Sequence, residues 1–154
     1  IGAAEAKKLN NDSSLVFTLH GDGELQEGQV WEAAMYASAK KIDNLISAID
    51  VNEKQIDGTT DDVLAMGSLR AKFEAFGWDV LDVERGNDLD AIDQAITLAK
   101  QKAGNGKPIC LLLHTEMGNG VDFMMGTHKW HGVAPNDEQL VSALEQNKET
   151  LGDY

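Results

Sequence analysis

Residues 15–23 read Leu15-Val-Phe-Thr-Leu-His-Gly-Asp-Gly23, an apolar run of strand length that leads into a glycine-rich turn. Three more apolar runs of similar length follow along the chain, and each is also followed by a turn that contains Gly or Asp. The four runs occupy residues 15–19, 45–51, 78–83 and 108–114. This pattern predicts four short buried strands.

Segments with helical spacing of apolar residues lie between and after these strands. They occupy residues 27–41, 62–76, 90–103 and 136–151. The resulting order β-α-β-α-β-α-β-α predicts an α/β fold, with a mainly parallel sheet and helices on both faces. Because no internal repeat or linker interrupts the chain, we assign residues 1–154 to a single domain. Ligands of such sheets bind beyond the carboxyl ends of the strands.

The composition excludes several classes of function. The chain has 13 basic and 26 acidic residues and a net charge of −13, which argues against binding to nucleic acid or to anionic lipid. Its longest apolar runs have only strand length, so we expect no membrane span, and the start at Ile1 lacks the features of a signal peptide. The single cysteine, Cys110, lies in an apolar run and is expected to be a buried, inert thiol; because one cysteine cannot form a disulfide framework, we expect a cytoplasmic protein.

Two turns carry the residues that suggest a chemical site. Gly21-Asp22-Gly23 follows the first strand, and such a turn brings backbone groups and a carboxylate close to a diphosphate, although alone it is an ordinary turn. Asn52 follows the second strand. If these strands are neighbours, both side chains lie at one sheet edge, where we expect them to be exposed. Together with the carbonyl of Lys54 they would supply oxygens to Mg²⁺, which prefers about six.

A longer stretch resembles a known family. Gly21-Asp-Gly-Glu-Leu-Gln-Glu-Gly-Gln-Val-Trp-Glu-Ala-Ala34 is similar to the thiamine-diphosphate motif of transketolases. Three later segments follow in the family's order: Ile56-Asp-Gly58, Phe73-Glu-Ala-Phe-Gly-Trp78 and Gly126-Thr-His-Lys-Trp-His-Gly132. The 2-oxo-acid dehydrogenases and deoxyxylulose-phosphate synthases share the Gly-Asp-Gly and Asn frame, but lack the combination of Glu27-Gly28 with the His-Gly segment. The resemblance covers the chain from about Ile1 to its end. It implies the thiamine-diphosphate-binding fold in incomplete form, corresponding to the latter half of the diphosphate-binding domain.

The resemblance also implies roles for individual residues. Asp22 and Asn52 would hold Mg²⁺ or Ca²⁺ through their side chains, and Lys54 would do so through its carbonyl. Gly21 and Gly23 would belong to the turn that binds the cofactor, with Gly23 contacting the diphosphate through its backbone. Glu27 matches an acidic residue that links the two active sites of the family's dimer. Its alternative role is that of an acid stabilised at a helix N-terminus.

The histidines fall into two groups. The resemblance implies that His128 or His131 or both line the cleft that holds the cofactor and the substrate. They lie in residues 117–131, a segment that we expect to be a mobile loop. Their His-x-x-His spacing is also that of zinc ligands, but no third ligand such as Cys is near. We interpret His114 as structural and leave the role of His20 open, with a plain strand-end histidine as the simpler alternative. The tryptophans are expected to be core or loop anchors: Trp31, Trp78 and Trp130.

The function implied by the resemblance is that of a transketolase of the pentose phosphate pathway. Such an enzyme transfers a two-carbon ketol unit from a ketose phosphate to an aldose phosphate. In the family, a separate pyrimidine-binding domain activates the cofactor ring across a dimer interface. We therefore expect the isolated chain to be inactive and to need a pyrimidine-binding domain or subunit, in a homo-oligomer or hetero-oligomer. The alternative is a non-catalytic α/β module that binds Mg²⁺ and a phosphate compound, or mediates assembly.

Overall fold

The computed structural model describes residues 1–147 of the chain. Its helices are α1 Gly2–Leu9, α2 Gly28–Ala39, α3 Thr60–Leu64, α4 Leu69–Ala75, α5 Leu89–Lys102 and α6 Asp137–Gln146. Its strands are β1 Val16–Gly21, β2 Leu45–Val51, β3 Lys54–Gln55, β4 Gly58–Thr59, β5 Asp79–Val83 and β6 Ile109–His114. A short 3-10 helix, Gly23–Gln26, joins β1 to α2. No helix of residues 1–147 is long and apolar enough to cross a membrane.

Four strands form one parallel sheet in the order β1-β2-β6-β5. The register places Gly21 beside Asp50 and Val51 beside His114, so the strands end together at one edge of the sheet. The short strands β3 and β4 form a separate antiparallel hairpin directly after β2. The predicted parallel sheet is therefore confirmed, and β1 and β2 are neighbours as the site prediction requires.

Helices cover both faces of the sheet. Because alternate residues of a strand point to opposite sides, each central strand contributes side chains to both cores. On one face, Leu45 and Ile49 of β2 belong to a core that also contains Ala37 of α2 and Phe73 of α4. On the other face, Ile46, Ile109 and Leu111 pack with Ala99 of α5. Both faces of the central strands are thus apolar, which is why these strands read as continuous apolar runs.

An aromatic group anchors α2 and α4 on the first face. The rings of Trp31 and Phe73 lie 5.4 Å apart, as do those of Phe73 and Trp78. The indole N–H of Trp78 donates to the Ala34 carbonyl at 2.9 Å, and that of Trp31 donates to the Leu25 carbonyl at 2.7 Å. Trp31 and Trp78 therefore act as core anchors whose polar groups are paired, as predicted.

The helix predicted over residues 62–76 is wrong in one respect, because the structure contains two helices there. Helix α3 ends at Leu64, and Gly67 has a φ of 59°, which an ongoing helix does not allow. Ser68 then starts α4 anew, since its side chain accepts a hydrogen bond from the Ala71 N–H. The sequence prediction also omits helix α1. The predicted last helix is confirmed up to Gln146, and its residues from 148 on lie outside the described part of the chain.

A strip of apolar surface lies exposed along β1. Phe17 is 48% and Leu19 71% exposed, and both line an apolar groove of about 270 Å³ whose other walls include Ile92 and Ile96 of α5. Apolar surface of this kind favours association.

We predict that the isolated 154-residue chain self-associates through this groove. Light scattering after size exclusion should show a mass above that of the 16.7 kDa monomer, rising with concentration. Leu19→Ser should shift the chain toward the monomer, whereas Leu9→Ser, at an exposed leucine outside the groove, should not. A monomeric wild-type chain at high concentration would contradict the prediction.

Candidate cofactor-binding site

The loops that follow the parallel strands gather at the edge where β1, β2, β6 and β5 end. Asp22 follows β1, and its backbone N–H donates to the Asp50 carbonyl of β2 at 3.0 Å. Asn52 follows β2, and the Thr115 N–H, just after β6, donates to the Val51 carbonyl at 3.1 Å. Backbone hydrogen bonds therefore extend the sheet by one residue, into the turns that carry the candidate side chains.

Asp22 and the turn after β2 are in direct contact. The Asp22 carboxylate accepts hydrogen bonds from the Gly23 N–H at 2.8 Å and from the Glu53 N–H at 2.6 Å. The side-chain oxygen of Asn52 accepts the Lys54 N–H at 2.8 Å. The sequence prediction that a carboxylate and the Asn52 turn meet at one edge is consistent with these contacts. The prediction that Asp22 is an exposed strand-end residue is wrong, because it is only 3% exposed.

Burial changes the acid strength of Asp22. Removal of the carboxylate from water raises its pKa, the negative charges of Asp50 and Glu53 raise it further, and the two backbone N–H donors offset part of this rise. A metal ion binds only the ionised carboxylate. A cation at this position would therefore offset both the burial of the charge and its repulsion by Asp50 and Glu53. A buried carboxylate with a raised pKa is thus suited to a bound cation.

This raised pKa predicts how stability depends on pH without metal. An acid whose pKa is higher in the folded state destabilises the fold when it is ionised, and this cost disappears as the pH falls through that pKa. Asp22→Asn removes the charge and keeps an oxygen for the Glu53 N–H, while its NH₂ faces the Gly23 N–H, a loss that does not depend on pH. We therefore expect the melting temperature of the metal-free wild type, measured relative to that of the variant, to rise between pH 7 and pH 4. A wild-type melting temperature that falls relative to the variant on acidification would contradict the direction of the shift.

Two residues that the sequence did not single out hold Asn52 in place. Asp50 accepts a hydrogen bond from the Asn52 side-chain NH₂ at 2.8 Å, and its other oxygen accepts from the Thr115 hydroxyl. The hydrogen bond from its NH₂ to Asp50 fixes the orientation of the Asn52 amide. Its oxygen therefore points to the Lys54 N–H. Such supporting contacts fix the orientation of a metal ligand. The signal for Asp50 was present in the sequence, as an acid at the end of an apolar strand.

Open space surrounds these turns. One cavity of about 720 Å³ is lined by Asn52 and Lys54 and by the residues after β5 and β6, among them Asn87 and Glu116. A second, of about 500 Å³, is lined by Asp22 and by the residues between α3 and α4. Glu53 lines both. The space is large enough for a phosphate compound that contacts both turns.

Glu27 lies away from these contacts. It precedes the first residue of α2 with an extended backbone, its side chain makes no capping hydrogen bond, and it is exposed. The position fits the simpler alternative, an acid at a helix N-terminus. A link between two active sites would require a second protein chain and stays a prediction.

His128 and His131 lie in the segment of residues 117–131, which has neither helix nor strand. Neither histidine lines the two cavities at the sheet edge. The segment is nevertheless tied to that edge, because the Gly126 N–H donates to the Glu116 carboxylate at 2.7 Å and Glu116 lines the first cavity. Trp130 anchors the loop by donating to the Phe123 carbonyl at 2.8 Å. In the described chain, Nδ1 of His131 is buried without a hydrogen-bond partner.

We predict that residues 117–131 form the most mobile part of the site. Amide hydrogen exchange should be fast across this loop in the isolated chain and slow when the cofactor, Mg²⁺ and a partner subunit are added. The reference is β2, whose backbone is bonded to strands on both sides. If the loop is as protected as β2 without ligand, it is a static structural element, and the assignment of the two histidines to the cleft loses its support.

The remaining candidates have structural partners. His20 lies 3.0 Å from the Glu24 carboxylate, which supports the simpler interpretation of a strand-end histidine. His114 lies 3.2 Å from the carboxylate of Asp82 and lines both cavities at the sheet edge, so its structural role stays a prediction. Burial raises the pKa of the Cys110 thiol, so this cysteine is both buried and poorly reactive. Within residues 1–147, no group of three or more His, Cys, Asp or Glu side chains is arranged to hold a metal. A metal at this edge would also need amide and backbone oxygens.

Solved structures of transketolases have the same fold. Transketolase from Campylobacter jejuni aligns with a TM-score of 0.82 and 32% identity over 94% of this chain and 22% of its own length. The complex of the Pichia stipitis enzyme with sedoheptulose-7-phosphate aligns with a TM-score of 0.82 and 28% identity, again over 94% of this chain and 22% of its own length.

Residues 3–152 match the family described as "Transketolase, thiamine diphosphate binding domain", and the chain belongs to this family. It is 39% identical over 151 residues to one subunit of the apulose-4-phosphate transketolase of Phocaeicola vulgatus, covering 98% of this chain and 53% of that protein. It is 36% identical to the 6-deoxy-6-sulfo-D-fructose transketolase subunit SqwG of a Clostridium species, over 95% of this chain and 52% of that protein. The chain thus spans about half the length of these curated relatives. The resemblance inferred from the motifs is confirmed.

Proposed function

We propose that this chain is the part of a transketolase that binds the diphosphate of thiamine diphosphate together with Mg²⁺ or Ca²⁺. The observation that carries the proposal is the contact between the buried Asp22 carboxylate and the turn of Asn52, in a chain of the thiamine-diphosphate-binding family. When bound, thiamine diphosphate supplies the carbon–carbon bond chemistry of ketol transfer. The chain's own residues bind and orient this group.

The residues present fit the metal and the diphosphate. Asp22 and Asn52 would bind the metal through their side-chain oxygens, and Lys54 would bind it through its carbonyl, a set of hard oxygens that suits Mg²⁺. The backbone of the Gly21 to Gly23 turn would face the diphosphate. Because the chain carries a net charge of −13, the metal is needed to make the local field attractive to an anion.

The loop histidines would act on the ligand from the other side. The unpaired Nδ1 of His131 supports a role for this ring, since a buried imidazole nitrogen without a partner is unusual in a structural histidine. We propose that His131, with His128 as the alternative, donates a hydrogen bond to the diphosphate or to an oxygen of the sugar substrate after the loop closes. For Glu27 we propose the link between two active sites in the assembled enzyme.

The complete reaction would require a second polypeptide or domain. We propose a pyrimidine-binding partner, because the relatives named above are transketolase subunits and the chain spans about half of their length. With that partner, the enzyme would move a two-carbon ketol unit from a ketose phosphate to an aldose phosphate. The two relatives are named for different ketose substrates, so the proposal concerns the reaction class.

Calorimetric titration tests the proposed function. Thiamine diphosphate should bind to the chain assembled with its partner in the presence of Mg²⁺, and addition of a chelator should abolish binding. If thiamine diphosphate binds equally strongly in the presence of a chelator, the proposed role of the metal is wrong. If thiamine diphosphate does not bind at all, the chain is a module with another ligand or an assembly role.

A further inference from the structure

Gln55 of β3 lies directly on the turn proposed to bind the diphosphate. A Cβ atom added to Gly23 would lie 3.2 Å from Oε1 and 3.3 Å from Cβ of Gln55. Gly23 is not among the residues with a left-handed φ, so its backbone conformation does not demand glycine. Glycine is favoured at position 23 because a Cβ atom there would press on the Gln55 side chain, which would have to shift by a few tenths of an ångström.

The amide oxygen of Gln55 has no partner in the described chain. Oε1 is buried and makes no hydrogen bond, which is rare for a buried polar atom and calls for an explanation. Nearby backbone donors are already engaged, because the Gly23 and Glu53 N–H groups donate to Asp22 and the Lys54 N–H donates to Asn52. A donor on a group that binds to the chain would pair with this oxygen.

A metal-bound water supplies such a donor. Mg²⁺ usually keeps one or more waters when it is held by a few protein oxygens and a diphosphate, and a water polarised by the ion is a strong hydrogen-bond donor. The diphosphate itself offers only acceptors. Oε1 of Gln55 lies beside Gly23, in the turn proposed to face the diphosphate.

We propose that Gln55 is a positioning residue of the metal site, whose Oε1 accepts a hydrogen bond from a water bound to the metal. The inference rests on the proposed function and adds a residue that none of the motifs singles out. It assigns two tasks to one side chain: packing on Gly23 in the free chain, and holding the metal's water shell in the loaded one.

Two substitutions at Gln55 distinguish this role from its alternatives. Gln55→Met keeps the length and the packing against Gly23 but removes the acceptor, so Mg²⁺ affinity should fall by about tenfold or more. Gln55→Glu keeps an acceptor and adds a negative charge beside the cation, so Mg²⁺ affinity should not fall below that of Gln55→Met. Gln101→Met, at an exposed glutamine of α5, is the control and should change nothing.

The measurement is a calorimetric titration of Mg²⁺ into the full chain, assembled with its partner and saturated with thiamine diphosphate. Thermal unfolding without ligand should confirm that all variants fold. If Gln55→Met binds Mg²⁺ like the wild type, the inference is wrong while the proposed function stands. If Gln55→Glu binds Mg²⁺ more weakly than Gln55→Met, an oxygen acceptor at position 55 does not stabilise the metal site, and the water-acceptor role is wrong. If the wild type shows no Mg²⁺-dependent cofactor binding, the proposed function fails first.

Discussion

Asp22→Asn is expected to reduce Mg²⁺-dependent binding of thiamine diphosphate by more than about 100-fold, because it removes the one charged side chain assigned to the metal. The substitution keeps the size of the side chain and an oxygen for the Glu53 N–H, and gives up only the acceptor of the Gly23 N–H, so the fold should persist. Asp22→Ala should lose cofactor binding as well. It would also lose stability on the order of 1 kcal/mol, since it leaves the Gly23 and Glu53 N–H groups without their acceptor.

Asn52→Ala is expected to have the same effect on binding through the second ligand. It also removes the hydrogen bond to Asp50 and the acceptor of the Lys54 N–H. For Asp22→Asn, the matched control for the loss of one negative charge is Asp93→Asn, at an exposed acid of α5. Titration with thiamine diphosphate and Mg²⁺ gives the affinities, and circular dichroism reports the fold. Unchanged affinity in Asp22→Asn or Asn52→Ala would remove that residue from the metal site.

The isolated chain is expected to have no ketol-transfer activity, and the pyrimidine-binding partner should restore it. In the family that the chain resembles, a separate domain supplies the residue that activates the cofactor ring, and the isolated chain would lack this residue. An enzyme without its activating acid–base group loses about 10²–10⁴-fold or more in rate, which would put the isolated chain below detection.

A coupled assay with a ketose phosphate donor and an aldose phosphate acceptor measures this difference. The chain alone, the partner alone and their mixture should give turnover only in the mixture. Activity of the purified chain without a partner would contradict the division of labour proposed here. The absence of activity with every pyrimidine-binding candidate, although cofactor binding is intact, would favour the non-catalytic alternative.

The order of strands and helices could be predicted because local sequence determines it. The apolar runs of β2 and β6 face apolar cores on both sides, so burial alone marks them as strands. The split between α3 and α4 escapes the prediction although its signals are local. Gly67 and the capping Ser68 interrupt an otherwise helical spacing of apolar residues, and periodicity alone does not detect such a cap.

The candidate site could be predicted only in part. Its position after β1 and β2 followed from the rule for parallel sheets, and Asp22 and Asn52 followed from their motif. The burial of Asp22 could not be predicted, because it depends on the Glu53 turn folding back onto the carboxylate. The hydrogen bond from the Thr115 hydroxyl to Asp50 joins residues that are 65 positions apart, and no local sequence pattern predicts such a contact.

The contact between Gln55 and Gly23 shows the same limit. The motif explains Gly23 by the close approach of a ligand, whereas the structure shows a side chain already packed on it. Both explanations favour glycine, so the sequence cannot separate them. The unpaired oxygen of Gln55 becomes visible only when all the donors around it are known.

The position of the metal is the central claim, and anomalous diffraction from Mn²⁺ tests it most directly. Crystals of the chain with its partner, grown with thiamine diphosphate and Mn²⁺ in place of Mg²⁺, should show one strong anomalous peak at the carboxyl edge of the sheet. We predict a peak about 2.1 Å from a side-chain oxygen of Asp22, from the side-chain oxygen of Asn52 and from the carbonyl oxygen of Lys54. A cofactor-bound structure with no peak there, or with the peak at His128 and His131, would contradict the account.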